Sequence, residues 1–247
     1  MTRNELVGND VKLFDVVEVS DQQDLSAGRF TSWLRNTRTA LVTKTGAEVP
    51  CGECNACCRS SYFIHIGPEE TEALAQIPED LLFAAPGQPE GNVVLGFDED
   101  GCCPMLIDDN CSIYEHRPLT CRNYDCRIFP AAGIAAGDKD KALITQHTLR
   151  WKFDYPDEQD RAQHRAVQAA AKFIGEHAES FAGEAPSNST QLAILAIKVH
   201  EVFLNDEDDS IGKLPSVLEV VAAVKAVMAA NEEPAAKLNQ IIRDRGA

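Results

Sequence analysis

The sequence is poor in positive charge and has no long apolar segment. Its 23 lysines and arginines are outnumbered by 39 aspartates and glutamates, which gives a net charge of −16. Nucleic acids and anionic membrane surfaces attract basic proteins, so we expect neither a nucleic-acid partner nor a membrane partner. No apolar run reaches the roughly 20 residues that a membrane-spanning helix needs. The acidic balance suits a cationic partner, and solubility alone explains it equally well.

Sequence signals for secretion and for common enzyme classes are also missing. Residues 1–10 read MTRNELVGND and lack the apolar core of a secretory signal, so we expect a cytoplasmic protein. No G-x-S-x-G, Walker-type or G-x-G-x-x-G motif occurs in the chain. The composition, 44% hydrophobic and 25% charged, is ordinary for a globular protein, and 247 residues predict one or two domains.

Cysteine is absent from most of the chain and concentrated in one part of it. All nine cysteines fall within residues 51–126, in the order Cys51-x2-Cys54-x2-Cys57-Cys58, Cys102-Cys103, Cys111, Cys121 and Cys126. An odd number of cysteines and a cytoplasmic location both argue against a disulfide framework. A dithiol-exchange role for the C-G-E-C segment is disfavoured by the preceding Pro50 and by the flanking cysteines.

The spacing of the first cysteines instead predicts a metal centre. Two cysteines at C-x2-C spacing can present both sulfurs to one metal from a tight turn. A third cysteine two residues later resembles the C-x2-C-x2-C run that wraps a [4Fe–4S] cluster, whereas zinc fingers usually separate their pairs by a dozen or more residues. We therefore predict an iron–sulfur cluster, with zinc as the alternative.

Charged and basic residues near the cysteines offer further candidates. Three arginines follow a cysteine directly, and they either offset the charge of a thiolate–metal centre or pair with local carboxylates: Arg59, Arg122 and Arg127. His65 and His116 are the histidines of the cysteine region, and either could complete a Cys3His site, although a packed histidine is the commoner case. The remaining histidines are interpreted as surface or packing residues: His147, His164, His177 and His200.

Hydrophobic periodicity predicts an α+β protein made of three segments. Residues 1–50 should form a strand at 11–19 and a helix at 29–42. Residues 51–133 form the cysteine module, with short strands near 62–66 and 93–97, a helix ending near 77, and a hairpin around the turn 108–110. Residues 134–247 should begin with a strand near 148–155 and continue as helices at about 157–182, 189–204, 215–230 and 234–245. Residues 131–137 are expected to be a flexible loop.

The later cysteines stand in a specific motif. Residues 111–122 read C-S-I-Y-E-H-R-P-L-T-C-R, and they follow the C-x2-C-x2-C-C run and Cys103. This pattern resembles the YkgJ-type cysteine-cluster family, a group of zinc- or iron-chelating proteins that includes the flagellin lysine methylases. The resemblance covers about residues 51–130. It implies a bacterial cytoplasmic protein with a cysteine-bound metal centre, and it implies no settled reaction.

Carried over residue by residue, the resemblance also implies a set of site residues. The implied metal ligands are Cys51, Cys54, Cys57, Cys58, Cys103, Cys111 and Cys121. The residues that match the companion positions are Tyr114, Arg117, Pro118 and Arg122. Of these, Tyr114, Arg117 and Arg122 are the candidate cofactor-binding residues. Cys126 lies outside the pattern and is either an added ligand or a buried thiol, and Cys102 is expected to be a spectator. The competing functions are a protein lysine methylase, which would act on a lysine-bearing protein partner, and a metal carrier.

Overall fold

The computed structural model describes residues 23–43, 49, 51, 53–137, 139–181, 185–204 and 215–227. The strand predicted at 11–19 and the helix predicted at 234–245 lie outside these residues. Helices alternate with short strands along the described chain, which confirms the predicted α+β class. Within the same residues, no helix has both the length and the apolar character needed to cross a membrane.

The strands are short and the longest helices lie near the two ends of the described chain. The strands are β1 (Leu25–Arg29), β2 (Ile64–Ile66), β3 (Leu82–Ala84), β4 (Val93–Leu95), β5 (Leu106–Ile107), β6 (Asn110–Cys111) and β7 (Trp151–Asp154). The helices are α1 (Phe30–Thr43), α2 (Thr71–Leu74), α3 (Leu119–Asn123), α4 (Ile128–Ala132), α5 (Ala142–Thr148), α6 (Glu158–Glu176), α7 (Ser189–Val199) and α8 (217–227). Single 3-10 turns connect several of them, among them Cys57–Arg59 and Tyr114–His116.

The main core joins the beginning of the described chain to its helical end. Strand β1 pairs in parallel with β7, and α1 packs against α6. The buried side chains come from α1, α4, α6, α7 and α8, with Phe30, Phe129 and Ile174 fully buried. The core thus draws on all three predicted segments, and the three-segment division itself stays a prediction.

A capping box fixes the start of α6. The side chain of Asp157 accepts a hydrogen bond from the backbone N–H of Asp160, and Asp160 accepts one from the backbone of Asp157. Asp160 also accepts hydrogen bonds from Arg29 and from the backbone and hydroxyl of Thr31. One buried carboxylate therefore satisfies donors on β1, α1 and α6 together, which ties the N-terminal helix to the C-terminal helices.

A second, smaller core lies under the cysteine-rich part. Strands β2, β4 and β3 form an antiparallel sheet in that order, and the buried residues of this core are Ile66, Ile77, Leu95, Met105 and Ile113. The hairpin β5–β6 turns at Asp108 and Asp109, whose φ angles of 48° and 63° fit a two-residue type I′ turn. Aspartate adopts this left-handed conformation more readily than most residues, so the sequence accommodates the tight turn.

Several sequence-based boundaries change in the structure. The helix expected to end near residue 77 covers only Thr71–Leu74. The second hairpin strand is Asn110–Cys111, so the turn is 108–109 rather than 108–110. The expectation of a flexible loop at 131–137 is wrong at its beginning: Ala131 and Ala132 are buried residues of α4, and Gly133 ends that helix with φ 70°. Small side chains were needed there because α4 packs closely against α6 and α7.

Candidate metal centre

One cavity between the two cores gathers cysteines from separate segments of the chain. Its volume is about 180 Å³. Eight cysteines line it: Cys51, Cys54, Cys57, Cys58, Cys103, Cys111, Cys121 and Cys126. The ninth, Cys102, is not part of the lining, and its sulfur lies 3.9 Å from a guanidinium nitrogen of Arg59. The structure thus places the eight candidate ligands around one space and puts the expected spectator outside it.

The first cysteine loop is held in place by backbone and side-chain hydrogen bonds. The N–H of Cys54 donates to the carbonyl of Cys51 at 2.9 Å, so the C-x2-C segment is a tight turn. After the 3-10 turn Cys57–Arg59, the buried hydroxyl of Ser60 donates to the carbonyl of Ala56 at 2.6 Å. The side-chain amide of Asn55 reaches the carbonyl of Asp109, which attaches the loop to the hairpin turn.

The next three cysteines are positioned by the small core. The backbone N–H of Cys103 donates to the carbonyl of Cys58 at 2.7 Å. Cys111 stands opposite Leu106 in the hairpin, and Cys121 is carried by the short helix α3. A hydrogen bond of 2.6 Å from the hydroxyl of Thr120 to the carbonyl of His65 fixes α3 against β2. These thiols therefore sit on one wall of the cavity.

Cys126 belongs to the main core and forms the other wall. It is 8% exposed, and the indole N–H of Trp151 donates to its sulfur at 3.3 Å. The preceding Asp125 is buried and accepts hydrogen bonds from Trp33 and from the guanidinium of Arg127. Two tryptophans and an ion pair thus hold the backbone around Cys126, which makes this thiol a fixed part of the lining.

The imidazole of His147 also lines the cavity. It packs edge-on against Trp151, with ring centroids 5.7 Å apart. Its Nε2 atom is buried and has no hydrogen-bond partner among the described residues, which is a costly state for a polar atom. Burial lowers the pKa of His147, and neutral imidazole is the form that binds metals. His147 was interpreted from the sequence as a surface or packing residue, and it does pack against Trp151, but no ligand-like spacing in the sequence marks its place in the cavity lining.

The two histidines that the sequence suggested lie elsewhere. His65 is a residue of β2 and His116 is an exposed residue of a 3-10 turn, and neither is part of the cavity lining. The Nδ1 atom of His116 lies 3.7 Å from a carboxylate oxygen of Glu72. Among the described histidines, His147 is therefore the one in contact with the cysteine cavity.

Burial keeps most of the thiols protonated. Burial is the main cause that raises the pKa of Cys103 to about 11 and that of Cys121 to about 12, and the neighbouring cysteines contribute to both increases. The pKa of Cys126 is likewise raised by burial to about 12. A hydrogen bond with Cys57 is the main cause of the raised pKa of Cys58. Such thiols are inert as free nucleophiles, and a bound metal would have to displace their protons.

The candidate cofactor-binding residues divide between the cavity and the surface. Arg117 and Tyr114 both line the cavity, with the guanidinium carbon 3.6 Å from the centre of the tyrosine ring. Arg122 is exposed and is not part of the lining. Arg59 and Arg127 are paired with the carboxylates of Asp109 and Asp125. Local carboxylates thus engage two of the three arginines that follow a cysteine.

The donor set fits a thiophilic metal, although the thiols line the cavity without converging. Within the described ranges, no three cysteine, histidine or acidic side chains are gathered closely enough to hold one ion as they stand. Eight thiols and one imidazole around a single space are nevertheless the ligand chemistry of zinc and iron–sulfur sites.

Comparison with known families gives an independent result. Residues 50–148 match the family described as "CxxCxxCC: Putative zinc- or iron-chelating domain". No curated protein and no solved structure matches the chain. The matched segment contains all nine cysteines and His147. Residues 50–148, about two fifths of the chain, are therefore similar to the CxxCxxCC family, to which zinc or iron chelation is ascribed.

Proposed function

We propose that this protein holds a metal centre in the cysteine cavity, and that the centre is an iron–sulfur cluster in preference to zinc alone. The observation that carries the proposal is the placing of eight cysteines around one cavity between two cores. A bound iron–sulfur cluster would supply one-electron transfer. Zinc in the same place would be purely structural.

The size of the cavity supports the preference for a cluster. A cavity volume of only about 10–15 Å³ is enough to hold one water molecule. The cysteine cavity measures about 180 Å³. A single four-coordinate zinc ion would use four of the eight thiols and little of this space. A [4Fe–4S] cluster is also held by four cysteines, but its several atoms would fill more of this space.

The walls of the cavity would exclude water and supply a fixed positive charge. Apolar side chains such as Ile64, Leu95 and Ile113 line it together with the thiols. The guanidinium of Arg117 stands in the same lining and would offset part of the negative charge of a thiolate-bound centre. Metal binding would release the thiol protons to solvent. The thiolate ligands would therefore be present only in the metal-bound protein.

Adjacent cysteines provide a matched test of the proposal. The full-length protein is purified without oxygen, and its iron, acid-labile sulfide, zinc and visible absorption are measured. We expect a coloured protein with iron and sulfide. Cys103→Ser should lose most of this content, because Cys103 lines the cavity, whereas Cys102→Ser should retain it, because Cys102 does not. A colourless protein with stoichiometric zinc would overturn the cluster, and a folded, metal-free protein would overturn the metal centre.

The lysine methylase and the metal carrier stay predictions. Calorimetry with S-adenosylmethionine tests the first, because a methylase of that kind must bind its methyl donor. Metal exchange with a competing chelator tests the second, because a carrier must release its metal readily. Slow exchange and no binding of the methyl donor would exclude both.

A further inference from the structure

We propose that an exposed group of phenylalanines beside the cysteine cavity is a docking surface for a basic protein segment, in which apolar side chains lie between lysines or arginines. The group consists of Phe63, Phe83 and Phe97 and is called the phenylalanine patch. This inference goes beyond the metal centre and does not rest on it, because it depends on one face of the sheet β2–β4–β3 and on the charges around that face.

The phenylalanine patch is a continuous apolar surface in contact with solvent. Phe63 is 62% exposed, Phe83 is 45% exposed and Phe97 is 36% exposed. The ring centroids of Phe63 and Phe97 are 4.9 Å apart, and those of Phe63 and Phe83 are 6.2 Å apart in an edge-to-face arrangement. Single exposed apolar side chains are common on protein surfaces, whereas a group of large ones in contact marks an interaction site. The patch is therefore a candidate contact surface.

The rings of the patch stand on the face of the sheet that points away from the small core. Phe83 is paired with Val94 of β4, and the register of β2 and β4 brings Phe63, the residue before β2, opposite Gly96. A Cβ atom at Gly96 would lie 3.4 Å from Cε1 of Phe83 and 4.0 Å from Cε1 of Phe63, so both rings lie close to this glycine. Residues of the opposite face pack in the small core: Ile64, Leu82 and Leu95. Because successive side chains of a strand alternate between faces, the small core does not need these rings.

The charge around the patch is of one sign. Residues 60–115 contain twelve aspartates and glutamates and no lysine or arginine. Five exposed carboxylates stand in the turns next to the strands that carry the rings: Glu79, Asp80, Asp98, Glu99 and Asp100. The backbone N–H of Ser61 donates to the carbonyl of Gly101 at 2.9 Å, which holds the acidic turn 98–101 beside the start of β2. The patch thus has an apolar centre and an acidic border.

An apolar centre with an acidic border favours a basic partner. Lysines and arginines would meet the carboxylates while the apolar side chains between them cover the rings, and opposite charges also speed the encounter. A second copy of this chain would bring its own acidic border, and like charges in contact disfavour that pairing. Residues 1–22 and 205–214 also have an excess of acidic side chains, so their charge does not suit this surface. The occupant is therefore a separate, basic protein segment.

One ring of the patch also belongs to the cavity. Phe63 lines the cysteine cavity, whereas Phe83 and Phe97 are not part of the lining. A segment bound to the patch would therefore contact the cavity through Phe63. The other two rings can be changed without altering the lining, which makes them the positions to test.

Binding of synthetic peptides tests the proposal. The full-length protein is titrated at low salt against short labelled peptides, and fluorescence anisotropy gives the dissociation constants. In one peptide lysine alternates with leucine, in another lysine alternates with serine, and in the last glutamate alternates with leucine. We expect the lysine–leucine peptide to bind at least about tenfold more tightly than the lysine–serine peptide, because only its leucines can cover the rings. The glutamate–leucine peptide should not bind, because the border repels it.

Matched substitutions locate the bound peptide. Phe83→Ser combined with Phe97→Ser should weaken binding of the lysine–leucine peptide at least about tenfold. Leu143→Ser is the control, because Leu143 is also 45% exposed but lies on α5, outside the patch. Glu99→Lys reverses one border charge and should weaken binding about threefold at low salt and less at high salt. Glu179→Lys makes the same change of net charge in the 3-10 turn after α6 and should leave binding nearly unchanged.

The border variant keeps the proposal testable if the serine variant folds poorly, since Glu99→Lys leaves the rings in place. Failure of the lysine–leucine peptide to bind the unchanged protein would overturn the proposal, as would equally tight binding of the lysine–serine peptide. Equal weakening by Glu99→Lys and Glu179→Lys would show that net charge alone attracts the peptide, which also contradicts a docking surface. Self-association of the unchanged protein that the serine variant loses, measured by sedimentation, would assign the patch to a second copy of the chain instead.

Discussion

The two cores differ in how far their own side chains can stabilise them. The main core is built from whole helices, and large side chains such as Phe129, Phe181 and Ile174 are fully buried in it. The small core contains five buried residues under two- and three-residue strands. Units of that size usually need a metal or disulfides to remain folded. The contrast suggests that the helical part folds on its own and that the cysteine part depends on its metal.

Removing the metal should have the largest effect, and it should fall on the small core. Structural zinc contributes about 10–16 kcal/mol of binding free energy in zinc-finger peptides, because binding and folding are coupled. We therefore expect the amide protons of β2 and β4 to lose their protection from hydrogen exchange in the metal-free protein, while α6 and α7 retain theirs. Hydrogen exchange followed by mass spectrometry measures both regions in one sample. Equal protection of β2 and β4 with and without metal would contradict the comparison.

Matched truncations in the two cores should separate stability from metal affinity. Ile174→Ala should lower the free energy of unfolding by about 2–5 kcal/mol, with or without metal, because Ile174 is fully buried in the main core. Ile66→Ala removes an equally buried isoleucine from the small core, and Ile66 is not part of the cavity lining. This substitution should weaken metal binding at least about tenfold, because part of the binding free energy is then needed to fold the destabilised small core. Denaturant unfolding and Co²⁺ titration measure the two effects, and a metal-dependent effect of Ile174→Ala would break the comparison.

The main core should also respond to acid. Burial opposes ionisation of Asp160, but hydrogen bonds from Thr31 and Arg29 outweigh it and lower the pKa of this carboxyl below its usual value. A carboxyl with a lowered pKa stabilises the fold above its unfolded pKa of about 3.9, and this contribution is lost as the pH falls below that value. Asp160→Asn should cost about 1–3 kcal/mol at pH 7 and flatten the acid dependence below about pH 4.

Exposed Asp154 provides the control for that substitution. Asp154→Asn should leave both the free energy of unfolding and its acid dependence unchanged. Urea unfolding at pH 7 and at pH 3 measures both variants. An acid dependence of Asp160→Asn that equals that of the unchanged protein would contradict the role given to this carboxylate.

The smallest effect is expected on the surface of α6, where neither core is involved. Arg165 and Glu158 form an ion pair of 2.6 Å, with both side chains more than 60% exposed. Water screens such a pair, so Arg165→Ala should change the free energy of unfolding by at most about 0.5 kcal/mol. Thermal unfolding in the metal-loaded protein measures it. A decrease in the free energy of unfolding of more than about 1 kcal/mol would show that the surface of α6 contributes to stability as the buried cores do.

Local patterns in the sequence predicted much of the fold. The apolar spacing of residues 29–42 predicted a helix that the structure places at Phe30–Thr43, and the helix predicted at 189–204 appears as α7 with the following 3-10 turn His200–Phe203. Alternating Trp151 and Phe153 predicted β7. The pairing of β7 with β1 was not predictable, because residues far apart in the sequence come together there and no local signal marks them.

The sequence by itself determined that cysteine chemistry is concentrated in residues 51–126 and that its spacing suits a metal, because ligand spacing within a turn is a local property. The tertiary structure alone decided which thiols share a wall, since Cys58 meets Cys103 and Cys126 meets Trp151 only after distant segments pack together. It also placed His147, interpreted from the sequence as a surface or packing residue, in the cavity lining. The physical reason is that a metal site is assembled by the packing of two cores, and the sequence shows the donors but not the surfaces that bring them together.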